Sequence, residues 1–350
     1  MSFYKPGFRH PKAPKNRIGL TESAYEGAIS TLCAGCGHDS ISAAIVRACW
    51  ESAISPHRVA KLSGIGCSSK SPTYFLNQAH GFNTVHGRMP SVMTGAHAAN
   101  RSLYYVGVSG DGDTASIGMG QFAHIIRRNL NMMYIVENNG CYGLTKGQDS
   151  ATTDEGTVNK KGVENHFESI DLVGLGLQLG ATFVARSFSG DKTQLVPLIK
   201  AAMAHKGFAL IDVISPCVTF NNHKGSTKSY DYVREHQASG VVMDYVPMAD
   251  EITIDYDPGS TEEVTLHDGS VIHLHKAESE YDAHDREAAI NTLQRYKTEG
   301  KILTGLIYLD PQAPDFHEMM GTTATPLNQL REDALCPGSS ALARINAALS

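Results

Sequence analysis

Residues 103–113 read LYYVGVSGDGD, and this stretch decides the fold. Leu103 to Ser109 is an apolar, β-prone run of the kind a buried strand needs. It ends on Gly110-Asp111-Gly112-Asp113, and a helix is expected next, over 117–128. The following apolar run, MMYIV at 132–136, is again a strand. Strand, helix, strand at this spacing makes a βαβ unit and therefore a parallel sheet.

The alternation continues outward. A helix near 41–51 precedes a strand at 59–63. A helix near 170–179 precedes a strand at 182–187, and a helix near 195–205 precedes a strand at 208–214. This is the signature of an α/β, doubly wound parallel sheet. The pattern changes after about residue 240. Residues 263–276 read as a β-hairpin turning at Asp268-Gly269. A helix at 285–297, a strand at 301–309 and a polar, proline-containing tail at 311–335 follow. The expected organisation is an N-terminal arm (1–20), an α/β domain (21–240) and a smaller α+β C-terminal extension (241–350).

Composition narrows the function classes. A chain of 350 residues buries roughly three quarters of its unfolded surface, so folding needs no disulfides. The net charge of −6 gives no basic footprint for nucleic acid. No apolar run reaches the roughly 18 residues of a membrane span. The arm carries Lys5, Arg9, Lys12, Lys15 and Arg17 but no apolar signal-peptide core, and reads as a solvated arm that could lie on a partner subunit. Seven cysteines, an odd number, argue against a disulfide framework, and a cytoplasmic location is expected.

In open α/β sheets, ligands bind beyond the carboxyl ends of the strands, where GDGD stands. Gly110 and Gly112 let the backbone approach a phosphate. The helix that follows aims its free N–H groups and positive dipole end at an anion. A diphosphate beside a carboxylate calls for a hard cation, and Mg2+ takes oxygen ligands. Asp111 supplies one. The second strand ends at Glu137-Asn138-Asn139-Gly140-Cys141, which puts Asn139 28 positions after Asp111 on the same edge.

GDG followed at this distance by NN resembles the thiamine-diphosphate motif of the transketolase and pyruvate decarboxylase superfamily. The resemblance implies that Asp111, the Asn139 side chain and the Cys141 carbonyl ligate Mg2+. It places Gly112, Asp113, Leu144 and Thr145 near the diphosphate.

The cysteines leave more than one reading on the residues alone. Cys33-Ala34-Gly35-Cys36 is a CxxC pair that fits a thioredoxin-type redox pair, half a zinc site or half an iron–sulfur site. Cys67 and Cys217 stand in loops after strands of the same sheet and can reach the GDGD edge. Cys49, in a helix, and Cys336, in the tail, read as structural.

In this order, LCAGCGH (32–38), GIGCSS (64–69), HGR (86–88), GDGD, NNGCYGLTKGQ (138–148) and SPCVTFN (215–221) resemble the β subunits of 2-oxoacid:ferredoxin oxidoreductases. The region after 240 is most similar to those acting on 2-oxoglutarate. The resemblance implies that Cys33, Cys36, Cys67 and Cys217 hold a [4Fe–4S] cluster near the thiazolium, with Gly66, Cys67 and Ser68 at the cofactor. Lys70 and Lys146 are then expected to meet carboxylate or phosphate groups of substrate or coenzyme A, and His86 and Arg88 to lie beside the diphosphate. His38 is read as a helix cap. His273 and His275 share a strand face beyond His267.

The implied reaction is oxidative decarboxylation of 2-oxoglutarate to succinyl-CoA and CO2. Electrons would leave singly to ferredoxin, and the reverse carboxylation is open. No glutamate here suits activation of the thiamine ring, so an α subunit, in an α2β2 assembly, is expected to supply it. Alternatives are pyruvate or a broad range of 2-oxoacids, a non-redox thiamine-diphosphate decarboxylase or carboligase, and a zinc-stabilised binding protein.

Overall fold

The computed structural model describes residues 10–159, 161–219, 252–266, 271–279, 281–336 and 338–349. Its main element is a nine-stranded sheet in the order β2-β1-β3-β4-β8-β7-β11-β10-β9. The strands are β1 (Val59–Ser63), β2 (His80–Asn83), β3 (Tyr104–Gly110), β4 (Met132–Asn138), β7 (Phe183–Phe188), β8 (Phe208–Ile214), β9 (Thr261–Thr265), β10 (Val271–Lys276) and β11 (Ile302–Leu309). β5 (Cys141–Tyr142) and β6 (Gln148–Asp149) form a separate two-stranded ribbon. The first six strands in the sheet order pair in parallel. β11 then joins antiparallel to β7.

Both faces of the central strands are covered, which is why β1, β3, β4, β7 and β8 are buried along nearly their whole length rather than alternately. Successive residues still point to opposite faces. Tyr134 and Val136 of β4 face one cluster with Phe122, Ile125, Leu210 and Leu293. Met133 and Ile135 face the other, with Ile41, Ile45, Leu195 and Ile199. Helices α1 (Gly37–Glu51) and α6 (Lys192–Ala204) pack on that second face, while α3 (Met89–Ala99), α4 (Met119–Arg127), α5 (Leu172–Gln178) and α7 (Arg286–Thr298) pack on the first; α2 is a single turn, Ser71–Tyr74. The doubly wound reading therefore describes this sheet.

The C-terminal strands extend the same sheet instead of forming one of their own. β9 and β10 pair antiparallel as a hairpin, with Val264 opposite Ile272. The expected turn at Asp268-Gly269, His267 and the boundary near 240 lie outside the described residues, as do Lys5 and Arg9 of the arm.

Two local expectations need correction, those for the 311–335 stretch and for His38. The 311–335 stretch is not simply a tail. Asp315 and Glu318 form a capping box on a short helix, Phe316–Met320, whose His317 is buried against His97. The described part of the arm is mostly exposed, as expected of a solvated arm, and Asn16 ties it to its own chain. Asn16 donates to the Tyr25 hydroxyl at 2.8 Å and to the Trp50 carbonyl at 2.9 Å. His38 is not a cap: it sits within α1, buried, with Nδ1 2.6 Å from Ser215 Oγ. His275 packs on Tyr296 and bonds Thr261. Cys49 is buried and directs its thiol to the Met203 sulfur at 3.7 Å, whereas Cys336 is exposed. Among the described residues, no helix is long and apolar enough to cross a membrane.

Candidate active site

Four adjacent strands deliver the motifs. β1 leads into Gly64-Ile65-Gly66-Cys67, β3 into GDGD, β4 into Asn138-Asn139-Gly140-Cys141, and β8 into Ser215-Pro216-Cys217. Because these strands are parallel, all four loops leave from one edge. Hydrogen bonds extend the ladder past the strand ends: Ser215 N–H donates to the Asn138 carbonyl at 2.7 Å, and Gly64 N–H to the Val108 carbonyl at 3.0 Å.

One cavity opens at this edge. Its lining includes Gly66, Cys67, Ser68, Asp111, Gly112, Asp113, Asn139, Cys141, Leu144 and Thr145, together with His38, His86, Glu137 and Tyr142. Lys70, Arg88 and Lys146 do not line it. Lys70 lines an adjoining cavity with Ser69, Thr73 and Asn83, and Ile65 stands between the two. Arg88 is exposed where the helix Met89–Ala99 begins. Lys146 is exposed with φ at +82°, a left-handed conformation that a non-glycine residue adopts at some cost.

Asp111 is fully buried at the start of a π-helical turn, Gly112–Ile117, that continues into α4. Such turns cluster at functional sites. The Asp111 carboxylate accepts from Asn139 N–H at 3.2 Å, from Thr152 Oγ1 at 2.7 Å and from Ser150 Oγ. Burial raises its pKa above the ordinary carboxylate value, and these donors offset only part of that rise. Asn139 Oδ1 accepts from Cys141 N–H at 3.2 Å, which folds the loop around the carboxylate. Ser150 and Thr152 escaped the sequence reading, since hydroxyls in a polar loop carry no sign of the residue they will meet. The Asn138 side chain bridges two neighbours, its amide donating to Asp212 at 3.1 Å and its Oδ1 accepting from Thr152 Oγ1 at 3.2 Å.

Asp113 faces the protein. Its carboxylate accepts from Gly87 N–H at 2.8 Å and Ser109 Oγ at 2.7 Å, and it pairs with His86 Nδ1. It thereby ties the HGR loop to the GDGD turn. A Cβ at Gly64 would lie 2.0 Å from Asp113 Oδ2, so only glycine fits there.

Glu137 is a second residue that sequence reasoning underrated. It is fully buried, accepts from Ser71 Oγ at 2.9 Å and lies 3.7 Å from His38 Nδ1. Its Oε1 has no hydrogen-bond partner among the described residues. Burial raises the Glu137 pKa well above the carboxylate range and lowers that of His38 to about 4.

The thiols gather on the same edge. A Cβ at Gly143 would stand 3.4 Å from Cys67 Sγ and 3.7 Å from Cys217 Sγ. Cys67 is within electrostatic reach of Cys33 and Cys217, and Cys36 of Cys217. Thr219 Oγ1 lies 3.6 Å from Cys33 Sγ. Burial pushes the Cys36 thiol up and, with the neighbouring Cys217, pushes Cys67 up to about 11. Among the described residues, no three His, Cys, Asp or Glu side chains are gathered as a site for a metal ion.

The donor sets suit the expected groups. The carboxylate of Asp111, the amide oxygen of Asn139 and the carbonyl of Cys141 are hard oxygen donors of the kind Mg2+ takes. The four thiols Cys33, Cys36, Cys67 and Cys217 form a soft set on the neighbouring loops, of the kind an iron–sulfur cluster takes.

Residues 64–213 match the family described as "Thiamine pyrophosphate enzyme, C-terminal TPP binding domain". The class is thus a thiamine-diphosphate-binding α/β domain. A 2-oxoacid:ferredoxin oxidoreductase subunit beta from Saccharolobus solfataricus is 42% identical over 191 residues, covering 54% of this chain and 63% of that protein. A 2-oxoglutarate synthase subunit KorB from Methanocaldococcus jannaschii is 38% identical over 192 residues, covering 54% of this chain and 69% of that protein. The matched part thus spans less than two thirds of the first of these relatives and slightly more than two thirds of the second. A solved structure of 2-oxoglutarate:ferredoxin oxidoreductase from Magnetococcus marinus, with 2-oxoglutarate, coenzyme A and succinyl-CoA bound, superimposes with a TM-score of 0.69. It is 30% identical, over 89% of this chain and 91% of that one. This chain belongs to the β-subunit family of the 2-oxoacid:ferredoxin oxidoreductases.

Proposed function

We propose that this chain forms the diphosphate-, metal- and cluster-binding half of a 2-oxoglutarate:ferredoxin oxidoreductase. One observation supports the reading: Asp111, Asn139 and Cys67 line one cavity on one sheet edge, and the Cys217 thiol stands just behind Gly143 of that lining. A non-redox thiamine enzyme has use for the oxygen donors and none for the thiols.

Thiamine diphosphate would supply the nucleophile and electron sink for decarboxylation of a 2-oxoacid. A [4Fe–4S] cluster would pass the electrons one at a time to ferredoxin. The chain's own residues do the holding. Asp111, Asn139 and the Cys141 carbonyl hold Mg2+, and Asp111 is itself kept in place by Ser150, Thr152 and Asn139 N–H. Asp113 clamps the loop bearing His86 against the GDGD turn. Cys33, Cys36, Cys67 and Cys217 hold the cluster. Lys70, in the adjoining cavity, and Lys146, on the exposed loop, offer cations to a carboxylate or phosphate of substrate or coenzyme A. His86, in the cavity lining, would flank the diphosphate, whereas Arg88 stands exposed outside that lining.

An α subunit completes the site, 2-oxoglutarate is the substrate and coenzyme A takes the acyl group. The names and bound molecules of the relatives support this assignment. The test is anaerobic co-expression with the α partner and an assay of ferredoxin reduction dependent on both 2-oxoglutarate and coenzyme A. The assembly should turn over 2-oxoglutarate in preference to pyruvate, and the lone chain should be inactive. Oxoacid oxidation by the lone chain, or a colourless assembly without iron, overturns the reading.

A further inference from the structure

Five thiols, not four, stand at the cofactor edge. The fifth is Cys141, which is 9% exposed. Its main chain is held twice: β5 pairs it with Asp149, and its N–H donates to Asn139 Oδ1 at 3.2 Å. Its thiol is hydrogen-bonded to Cys217 and lies within electrostatic reach of both Cys67 and Asp111. Cys141 therefore sits between the metal loop and the cysteine loops. Ser215 N–H, donating to the Asn138 carbonyl at 2.7 Å, keeps the Cys217 loop and the Cys141 loop in register. Sequence reading credited Cys141 only with its carbonyl.

We propose that Cys141 is a positioning residue for the cluster: its S–H donates a hydrogen bond to the sulfur of Cys217 and raises the cluster's reduction potential. The proposal rests on the ligand assignment made above. Hydrogen bonds to ligand sulfurs are among the determinants of iron–sulfur potentials. A donor facing a thiolate ligand stabilises the state with more negative charge, which is the reduced one. Because Cys141 is also a metal-loop residue, it links the position of the metal to the electronics of the cluster.

The test uses the full chain co-expressed with its partner and purified anaerobically, as the unsubstituted protein and as Cys141→Ala, Cys141→Ser and Cys217→Ala. Iron content is measured, and the potential is read by redox titration followed in visible and electron paramagnetic resonance spectra. The unsubstituted protein and both Cys141 variants should hold the same iron, and Cys217→Ala should lose it. Cys141→Ala should shift the potential downward by a tenfold change in the one-electron equilibrium, about 59 mV, and Cys141→Ser, which keeps a donor, should restore most of it. An unchanged potential in Cys141→Ala overturns the proposal and leaves the cluster reading intact. Iron lost in Cys141→Ala but kept in Cys217→Ala makes Cys141 a ligand and overturns it differently. An unsubstituted assembly without iron removes the cluster reading itself.

Discussion

The ring of Tyr142 occupies the space that a side chain on Gly112 would take. A Cβ there would stand 2.6 Å from the ring, and the Tyr142 hydroxyl donates to the Gly112 carbonyl at 2.9 Å. The second glycine of GDGD is thus required by protein packing, in addition to any approach by a phosphate. Gly112→Ala should displace Tyr142 and weaken thiamine-diphosphate binding in the assembled protein. Tyr142→Phe keeps the ring and loses one hydrogen bond, so it should lower stability by only about 1 kcal/mol. Isothermal titration with cofactor and Mg2+, beside thermal melts, separates the two. Equal cofactor affinity in Gly112→Ala and the unsubstituted protein refutes the packing argument.

Asp111 depends on its neighbours. Thr152→Val and Ser150→Ala remove hydroxyls that orient the carboxylate, and each should cost roughly 10–100-fold in Mg2+-dependent cofactor affinity. Asp111→Ala should cost more, because it also leaves buried donors without an acceptor, at about 1–3 kcal/mol each. The check is cofactor affinity measured across a Mg2+ series. No loss in Thr152→Val would mean that the hydroxyl only fills space.

Arg186 is buried between two carboxylates. Its Nε donates to Asp212 Oδ2 at 3.1 Å and its Nη2 pairs with Asp171. Burial acts to raise the Asp171 pKa, and the guanidinium charge more than offsets it, leaving the group below the ordinary value. Arg186→Met leaves the buried charge of Asp212, and the partly exposed Asp171, without their cation and should destabilise by roughly 3–5 kcal/mol. Asp212 also accepts from Asn138, next to Asn139, the proposed Mg2+ ligand, so cofactor affinity should fall with stability. Chemical denaturation of Arg186→Met alone and combined with Asp212→Asn checks this: the double variant should recover part of the loss.

Stability should fall on acidification. Burial, with His317 adding to it, lowers the His97 pKa to about 4, against about 6.5 in an unfolded chain. Between those values the unfolded state binds the extra proton and the folded state does not, so stability is lost as pH drops below about 6.5. The slope is at most about 1.4 kcal/mol per pH unit for this residue. His38, lowered to about 4 by burial, acts in the same sense. Melting temperatures from pH 7 to pH 5 should decline, and His97→Asn should reduce the slope without abolishing it. A pH-independent melt in that window contradicts the burial of both histidines as neutral rings.

Much of the sheet was legible because its signals are local. The runs at 59–63, 132–136 and 208–214 are short and rich in apolar, β-prone residues, and the helices between them carry their own periodicity. The strands at 59–63 and 208–214 fall where expected. β2, with every residue exposed, and the helix Met89–Ala99 lacked a comparable signal. The tail residue His317 could not be read as a core contact, since its partner His97 lies 220 positions away.

The sequence by itself determined the alternation of strands and helices, the place of GDGD and Asn139 at strand ends, and which cysteines sit in loops. These are properties of short segments, set by side-chain periodicity and backbone preference. Only the tertiary structure decided that Ser150 and Thr152 hold Asp111, that Glu137 is buried with an unpartnered oxygen, and that Cys141 touches Cys217. It also decided that β9, β10 and β11 extend the first sheet. The physical reason is that each of these facts depends on the order in which strands lie side by side, and strand order is settled by packing across the whole chain.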